Sequence, residues 1–356
     1  MTMTENKLSG MELLRALCLE FGPTGCEHNV AAMIEAQLRG VCEVKRDRMD
    51  NVLAHLPGNG PRIMLSAHMD EVGMMITSID DKGYLRFTNV GGIDTRVLCG
   101  RRVQVGTAEH RIPGVIGAKA IHLQSADDRT KSTPMDKLYI DIGADSREEA
   151  EKYVDIGDFA TFDTGFGLYG QDDRQMRGKA IDDRLGCAVM IEVLRALAEA
   201  GGERPYDLWC AFSVREEIGK SGARVAAYGI EPDFAIVLET TAVGDIPGAS
   251  PATRVAEIEG GGVISLVDRS TIYDTALVNF AMECGREGDI PCQLKRYVSG
   301  GNDAGHIHKT RDGVRCLAIS APTRYLHSGS CVTATANYDH IRDLVLAMLN
   351  RWDELN

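Results

Sequence analysis

The sequence predicts an α/β chain whose largely parallel sheet is covered by helices on both faces, with a small β-rich insertion. Three observations carry this reading. Helix and strand patterns alternate before residue 72 and return from residue 180, while the stretch between about 72 and 165 is built of short β-branched runs separated by glycine and proline. At 356 residues the chain also exceeds one ordinary domain core. The expected division is a main domain of residues 1–71 and 166–356 and an inserted domain of residues 72–165.

Residues 10–20 (GMELLRALCLE) and 27–39 (EHNVAAMIEAQLR) space their apolar side chains by three and four, as amphipathic helices do, across the breaker-rich loop FGPTGC. VCEVKRDRMDNVLAHLPG alternates and turns at Met49-Asp50-Asn51 as a hairpin would, then leads into RIMLSAH at 62–68, which reads as a buried strand. The insertion offers five short strands, LRFTNVGG, RRVQVG, HRIPGVIG, KLYIDIG and FATFDTG, the texture of a small barrel or sandwich. A helix is then expected at 184–199, a strand at 207–214, a helix near 221–228 and a strand at 234–239. Later come a helix around 273–285, a strand near 293–298, a helix starting after SGGNDAG, a strand at 314–319 and a C-terminal helix at 338–352.

Bulk properties narrow the partners. Lys+Arg 39 against Asp+Glu 52 gives a net charge of −13, which repels phosphate backbones and anionic membranes, so neither nucleic acid nor membrane is an expected partner. Apolar runs fall far short of the roughly 20 residues of a membrane helix. MTMTENKLSGMELL lacks a basic segment followed by an apolar one, so no secretory signal is read and a cytoplasmic location is expected. Ten scattered cysteines without CxxC spacing fit free thiols in a reducing compartment.

The chemistry collects at strand ends. IMLSA runs into His68 with Asp70, CAFSV runs through Arg215 into Glu216-Glu217, FAIVL runs into Glu239, and VRCLAIS is followed by a loop carrying His327. Because ligands bind at the carboxyl ends of strands in open α/β sheets, these groups can converge despite their separation in sequence. Asp182-Asp183 precedes an amphipathic helix, where one Asp can cap the helix while the other serves the site. Any one of these groups alone is most simply a boundary or solvated residue. Together, two imidazoles and several carboxylates form a mixed nitrogen and oxygen set suited to Zn²⁺, Co²⁺ or Mn²⁺.

Through SAHMDEVG (66–73), GKAIDDRLGC (178–187), VREEIGKSGA (214–223), VLETT (237–241), SGGNDAG (299–305) and PTRYLHS (322–328), in that order, the chain resembles the M42 metallo-aminopeptidases, relatives of glutamyl aminopeptidase and of the tetrahedral archaeal peptidases. The resemblance implies a zinc-peptidase type of catalytic domain with a PDZ-like dimerisation insert, and two divalent ions about 3.5 Å apart. It implies that Asp182 bridges the ions, that His68 and Glu239 complete one, and that Glu217 and His327 complete the other. Glu216 would be the general base, and Asp70 would accept the second ring N–H of His68 and fix its tautomer. At position 239 relatives often carry Asp, so Glu239 places the carboxylate one methylene further out.

The expected activity is hydrolysis of N-terminal residues from short peptides, in a homo-oligomer built from dimers, up to a tetrahedral dodecamer. A metallo-amidohydrolase acting on N-acyl amino acids or small amides is the main alternative, separated by whether a free α-amine is required. A glycosidase using Glu216 and Glu239 is disfavoured by a content of only two tryptophans. A non-catalytic peptide-binding role is disfavoured because every expected ligand and the base are present. SGGNDAG lacks GxxxxGK[ST] and GxGxxG, so it is no phosphate cradle, and the resemblance places it by the substrate cleft. His306 and His308 read as packing or solvent-side groups, as does His122, for which a subunit contact is the alternative.

Overall fold

The computed structural model of the protein describes residues 7–355. Residues 1–6 of the stretch read for a signal, and residue 356 at the end of the expected main domain, lie outside the described residues. Both N-terminal helices form, as Gly10–Leu19 and His28–Leu38; the first buries Leu13, Leu14, Leu17 and Cys18, the stripe its spacing marks out. The hairpin forms between Glu43–Arg46 and Val52–Leu56, with Asp50 at φ 70° in its turn.

At the centre of an 11-stranded sheet, Asp207–Ser213, Arg62–His68, Phe234–Ala242 and Arg315–Arg324 lie side by side in parallel. Their registers set Ser213 beside His68 and Glu239 beside Ser320, so chemistry-bearing residues gather at one end of the sheet. The six residues Ile63 to His68 are all buried, as expected for a strand covered on both faces. Ile181–Ala200 packs against these strands together with Gly10–Leu19 and Ala336–Asn350, while Ser221–Ile230 and Ala304–Ile307 form a second helical group.

The expectation of a mostly parallel sheet needs correction: the sheet is mixed, with four parallel ladders and six antiparallel ones. Arg315–Arg324 runs on past residue 319, and a short loop returns Cys331–Ala334 antiparallel beside it, followed by Gln175–Gly178 and Gly167–Tyr169. A loop that short leaves no room for a crossover helix, so the next strand must reverse. These strands have three or four residues each, too few for an alternation to show.

Between Gly73 and Phe162, six strands close a barrel with its own core, including Val103, Val105, Ile116, Ile140 and Ala160. One strand more forms than the five expected: Gly73–Ile79 follows directly on the SAHMDEVG stretch and pairs with Leu85–Val90. The barrel is joined to the sheet domain through buried polar contacts. Glu71 Oε2 accepts from Thr161 of the barrel at 2.8 Å, and Glu71 Oε1 meets Lys179 Nζ at 2.5 Å. Lys179 also donates to the Glu20 carbonyl at 3.0 Å.

Arg184, fully buried, extends this network. It donates to the main-chain carbonyls of Met69, Leu17 and Gly22, and it lies 3.7 Å from Glu71. Arg184→Leu strips those acceptors of their donor and leaves Glu71 with one cation fewer in a dry interior, so it is expected to lower stability by about 3 kcal/mol or more. Guanidinium denaturation of the two proteins checks this, and a loss below about 1 kcal/mol contradicts it.

Candidate metal centre

Four strand ends and one helix start supply the site. His68 closes Arg62–His68, Glu239 lies within Phe234–Ala242, Glu216 and Glu217 follow Asp207–Ser213, and His327 lies in the loop after Arg315–Arg324. Asp182 enters at the start of Ile181–Ala200, where its own backbone is not yet helical. These residues line one cavity of about 640 Å³, with Gly92 and Asp94 of the barrel on one side and the Ser299–Asn302 segment on another.

Asp182 is the hinge of the geometry. Its Oδ1 lies 3.4 Å from His68 Nε2, and its Oδ2 lies 3.4 Å from His327 Nε2. His68 Nε2 is also 3.6 Å from Glu239 Oε1, and His327 Nε2 is 3.3 Å from Glu217 Oε1. Separations of this size are long for direct hydrogen bonds, which run at roughly 2.7–3.2 Å. They are the spacing of two ligands that share a tetrahedral ion at about 2.0–2.1 Å, whose edges measure about 3.3–3.4 Å. Asp182 Oδ1 is buried with no hydrogen-bond partner, a costly state for a carboxylate oxygen unless a cation meets it.

The remaining contacts orient this set. His68 Nδ1 lies 3.0 Å from the main-chain carbonyl of Asp70, and His327 Nδ1 lies 2.7 Å from the Gly92 carbonyl, so both rings are held with Nε2 inward. The Asp70 carboxylate acts otherwise than expected. Its Oδ1 is 3.5 Å from the His68 ring, and its oxygens instead accept from the Glu216 and Glu217 backbone N–H groups at 3.0 and 3.2 Å and from Thr24 Oγ1 at 2.8 Å. The tautomer contact therefore falls to the Asp70 backbone, and the side chain clamps the turn that presents Glu216 and Glu217. A residue two positions after His68 can reach the ring by either route, which is why the residue was legible and its atom was not.

The Asp pair divides its tasks. Asp183 Oδ1 accepts from Gly186 N–H at 3.1 Å, the capping contact, while Asp182 faces the cavity. Asp183 Oδ2 has no partner, and its carboxylate comes close to His68 and Glu239. Glu216 likewise lies near His68 and Glu217, but its Oε1 is engaged by Lys220 Nζ at 2.8 Å.

The electrostatics are those of an anionic site. Burial works against charge on His68, yet Glu239, Asp182 and Asp70 hold its imidazole well above the ordinary range. His327 is pushed up to about 10, where Asp182, Glu217 and the Gly92 carbonyl overcome the effect of burial. Asp182, despite its burial, is held well below the carboxylate range by His327 and His68. Burial pushes Asp183 well up with help from Glu239, and pushes Glu239 well up with help from Asp182. Burial and Asp182 bring Glu217 to about 8, and burial and Glu216 bring Asp303 to about 7. Seven crowded carboxylates cannot all carry charge in this volume without cations among them.

Sequence reasoning missed Lys220, Asp303 and Lys295. Lys220 stands four residues beyond Glu216 and was signalled by that spacing; Asp303, whose Oδ2 accepts from Ser213 Oγ at 2.7 Å, lay unweighed inside SGGNDAG. His308 Nδ1 lies 2.6 Å from the Ala304 carbonyl, and His122 is exposed on the barrel. None of His122, His306 and His308 joins a ligand group among the described residues. All ten cysteines are free thiols.

Residues 50–344 match the family model described as M42 glutamyl aminopeptidase. A lysyl aminopeptidase of Pyrococcus furiosus is 32% identical over 343 residues, which is 95% of this chain and 96% of that one. The crystal structure of a TET aminopeptidase from a marine sediment Thaumarchaeota archaeon superposes with a TM-score of 0.92 at 36% identity, covering 96% of each chain. A Pyrococcus horikoshii TET1 peptidase, described as able to assemble into a tetrahedron or a large octahedral shell, superposes at 0.86 with 33% identity, covering 95% of this chain and 98% of that one. The resemblance read from the sequence is borne out.

Proposed function

The chain belongs to the M42 glutamyl aminopeptidase family, and from that premise we propose that it removes N-terminal residues from short peptides with two divalent metal ions, Zn²⁺ or Co²⁺ with Mn²⁺ as a third candidate. The observation that carries the two-ion reading is the division of Asp182 between two imidazoles, one oxygen to each. His68 and Glu239 would hold one ion with Asp182, and His327 and Glu217 the other. Bound there, the ions supply a water of near-neutral acidity, polarisation of the scissile carbonyl and an anchor for the free α-amine that marks a peptide's first residue.

The protein's own groups then do the proton work. Glu216 accepts a proton from the attacking water and returns it to the leaving nitrogen. Its Oε1 is held by Lys220, which leaves Oε2 for the proton and keeps Glu216 off the metals. Asp70, by accepting from the backbone of residues 216 and 217, sets where that carboxylate stands. The relatives favour this reading over the amidohydrolase alternative, since those compared are aminopeptidases or a peptidase. The barrel is assigned to dimerisation, on the support of the TET relatives and of the exposed Ile121 and Leu123 flanking His122.

Chelated protein reloaded with zinc, cobalt or manganese is expected to cleave aminoacyl-anilides with a free amine and to leave their N-acetylated counterparts intact. Cleavage of the acetylated set moves the assignment to the amidohydrolase. In the loaded protein, Glu216→Gln is expected to keep both ions while kcat falls by about 10³ or more. His327→Ala is expected to retain one ion per chain by metal analysis. Two ions retained in His327→Ala, or a near-normal rate in Glu216→Gln, would remove those residues from the roles given. Light scattering on an eluting size-exclusion peak should find a multiple of 38.7 kDa, and a monomer defeats the assembly.

A further inference from the structure

The turn that carries Glu216 and Glu217 leaves the sheet at Ser213, the last residue of its strand. From there four consecutive backbone N–H groups find side-chain acceptors drawn from three other stretches of the chain. Val214 donates to Asn51 Oδ1 at 3.0 Å, Arg215 to Glu27 Oε1 at 3.1 Å, and Glu216 and Glu217 to the Asp70 carboxylate at 3.0 and 3.2 Å. Asn51, Glu27 and Asp70 are all buried. A surface turn ordinarily leaves such donors to water or to its own carbonyls.

Glu27 is the least expected of the three. It occupies the N-cap of the helix His28–Leu38, a position that favours Ser, Thr, Asp or Asn, and among the described residues its carboxylate makes no capping contact with that helix. Its Oε1 instead takes the N–H groups of Gly25, at 2.9 Å, and of Arg215, 188 residues away. Arg215 stands at φ 57°, in the left-handed region that costs a non-glycine residue about 1 kcal/mol or more, so fixed partners are needed to hold it there. The loop that delivers Glu27 is tied to the same turn. Thr24 donates its N–H to the Glu71 carbonyl at 3.0 Å and its hydroxyl to Asp70 Oδ2 at 2.8 Å.

We infer that Glu27 is a positioning residue for the reaction: by holding the Arg215 N–H it fixes the backbone just before Glu216, and so the place from which that carboxylate takes its proton. The inference rests on the reading of Glu216 as the general base. Asp70 holds the peptide groups on either side of the Glu216 Cα, and Glu27 holds the next one back. Between them the two carboxylates fix the torsions of Arg215, on which the direction of Glu216 depends. With the Arg215 N–H released, that residue can relax towards negative φ and turn Glu216 away from the bound water. A misplacement of about 1 Å in a reacting group can cost about 100-fold in rate.

The test uses the metal-loaded full chain and whichever aminoacyl-anilide the wild type cleaves fastest. Glu27→Asp keeps a favoured N-cap residue, and so the helix, while drawing the carboxylate back by about 1.5 Å, one carbon–carbon bond. Glu27→Gln keeps the length and an acceptor oxygen. The expected result in Glu27→Asp is a kcat about tenfold or more lower, with KM within about twofold, both ions retained and the melting temperature unchanged. In Glu27→Gln kcat is expected within about threefold of the wild type. A wild-type kcat in Glu27→Asp, equal falls in the two variants, or a melting temperature that drops with the rate overturns the assignment and leaves Glu27 as a group that serves the fold. Loss of one ion in Glu27→Asp overturns it too, by moving the effect to Glu217. Glu216→Gln, measured beside them, separates the two readings: if it stays near normal, the general-base reading fails; if it is slow while Glu27→Asp is normal, only the Glu27 inference does.

Discussion

Concentrating carboxylates at the end of a buried sheet is the constraint on which the rest of this structure turns. Asp182, Asp183, Glu239 and Asp70 are buried, with Glu216 and Glu217 beside them. Each would prefer either water or a counter-charge, and among the described residues the cavity supplies two imidazoles and one paired lysine in direct contact. The arrangement becomes favourable when divalent cations enter, so the energy of ion binding and the stability of the site are expected to be linked. The two ring nitrogens that point outward are tied to the carbonyls of Asp70 and Gly92, which leaves the inward nitrogens with nothing to do except meet the site.

The same constraint explains why the barrel and the sheet are not independent. The Gly92 carbonyl that orients His327 belongs to the barrel side, and Thr161 reaches from a barrel strand to Glu71, next in sequence to Asp70. Asp70 in turn holds the backbone of Glu216 and Glu217. A chain of hydrogen bonds thus runs from the barrel, through the residues that follow His68, to the carboxylates on the cavity floor. Displacing the barrel would disturb His327 directly and Glu216 through Asp70, so the insertion serves the chemistry as well as any assembly it mediates.

Much of this was legible in the sequence because strong periodicity and strand-end chemistry coincide. The central strands announced themselves as apolar runs ending in His68, Glu216-Glu217 and Glu239, and register alone then brings those ends together. The antiparallel strands at Gly167–Tyr169, Gln175–Gly178, Gly262–Ile264 and Cys331–Ala334 stayed hidden, since three or four residues carry no pattern and their pairing is decided by loops and tertiary contacts. Asp70 was found as a residue and misassigned by atom, because sequence spacing cannot distinguish a carboxylate from the carbonyl of the same residue.

The central claim is that Asp182 stands between two metal ions. Anomalous diffraction from crystals of zinc-loaded protein, recorded above and below the zinc edge, tests it most directly. The account predicts two peaks about 3.5 Å apart, one flanked by His68 and Glu239, the other by His327 and Glu217, with the Asp182 carboxylate between them. A single peak, or two peaks that leave Asp182 unligated, would contradict it.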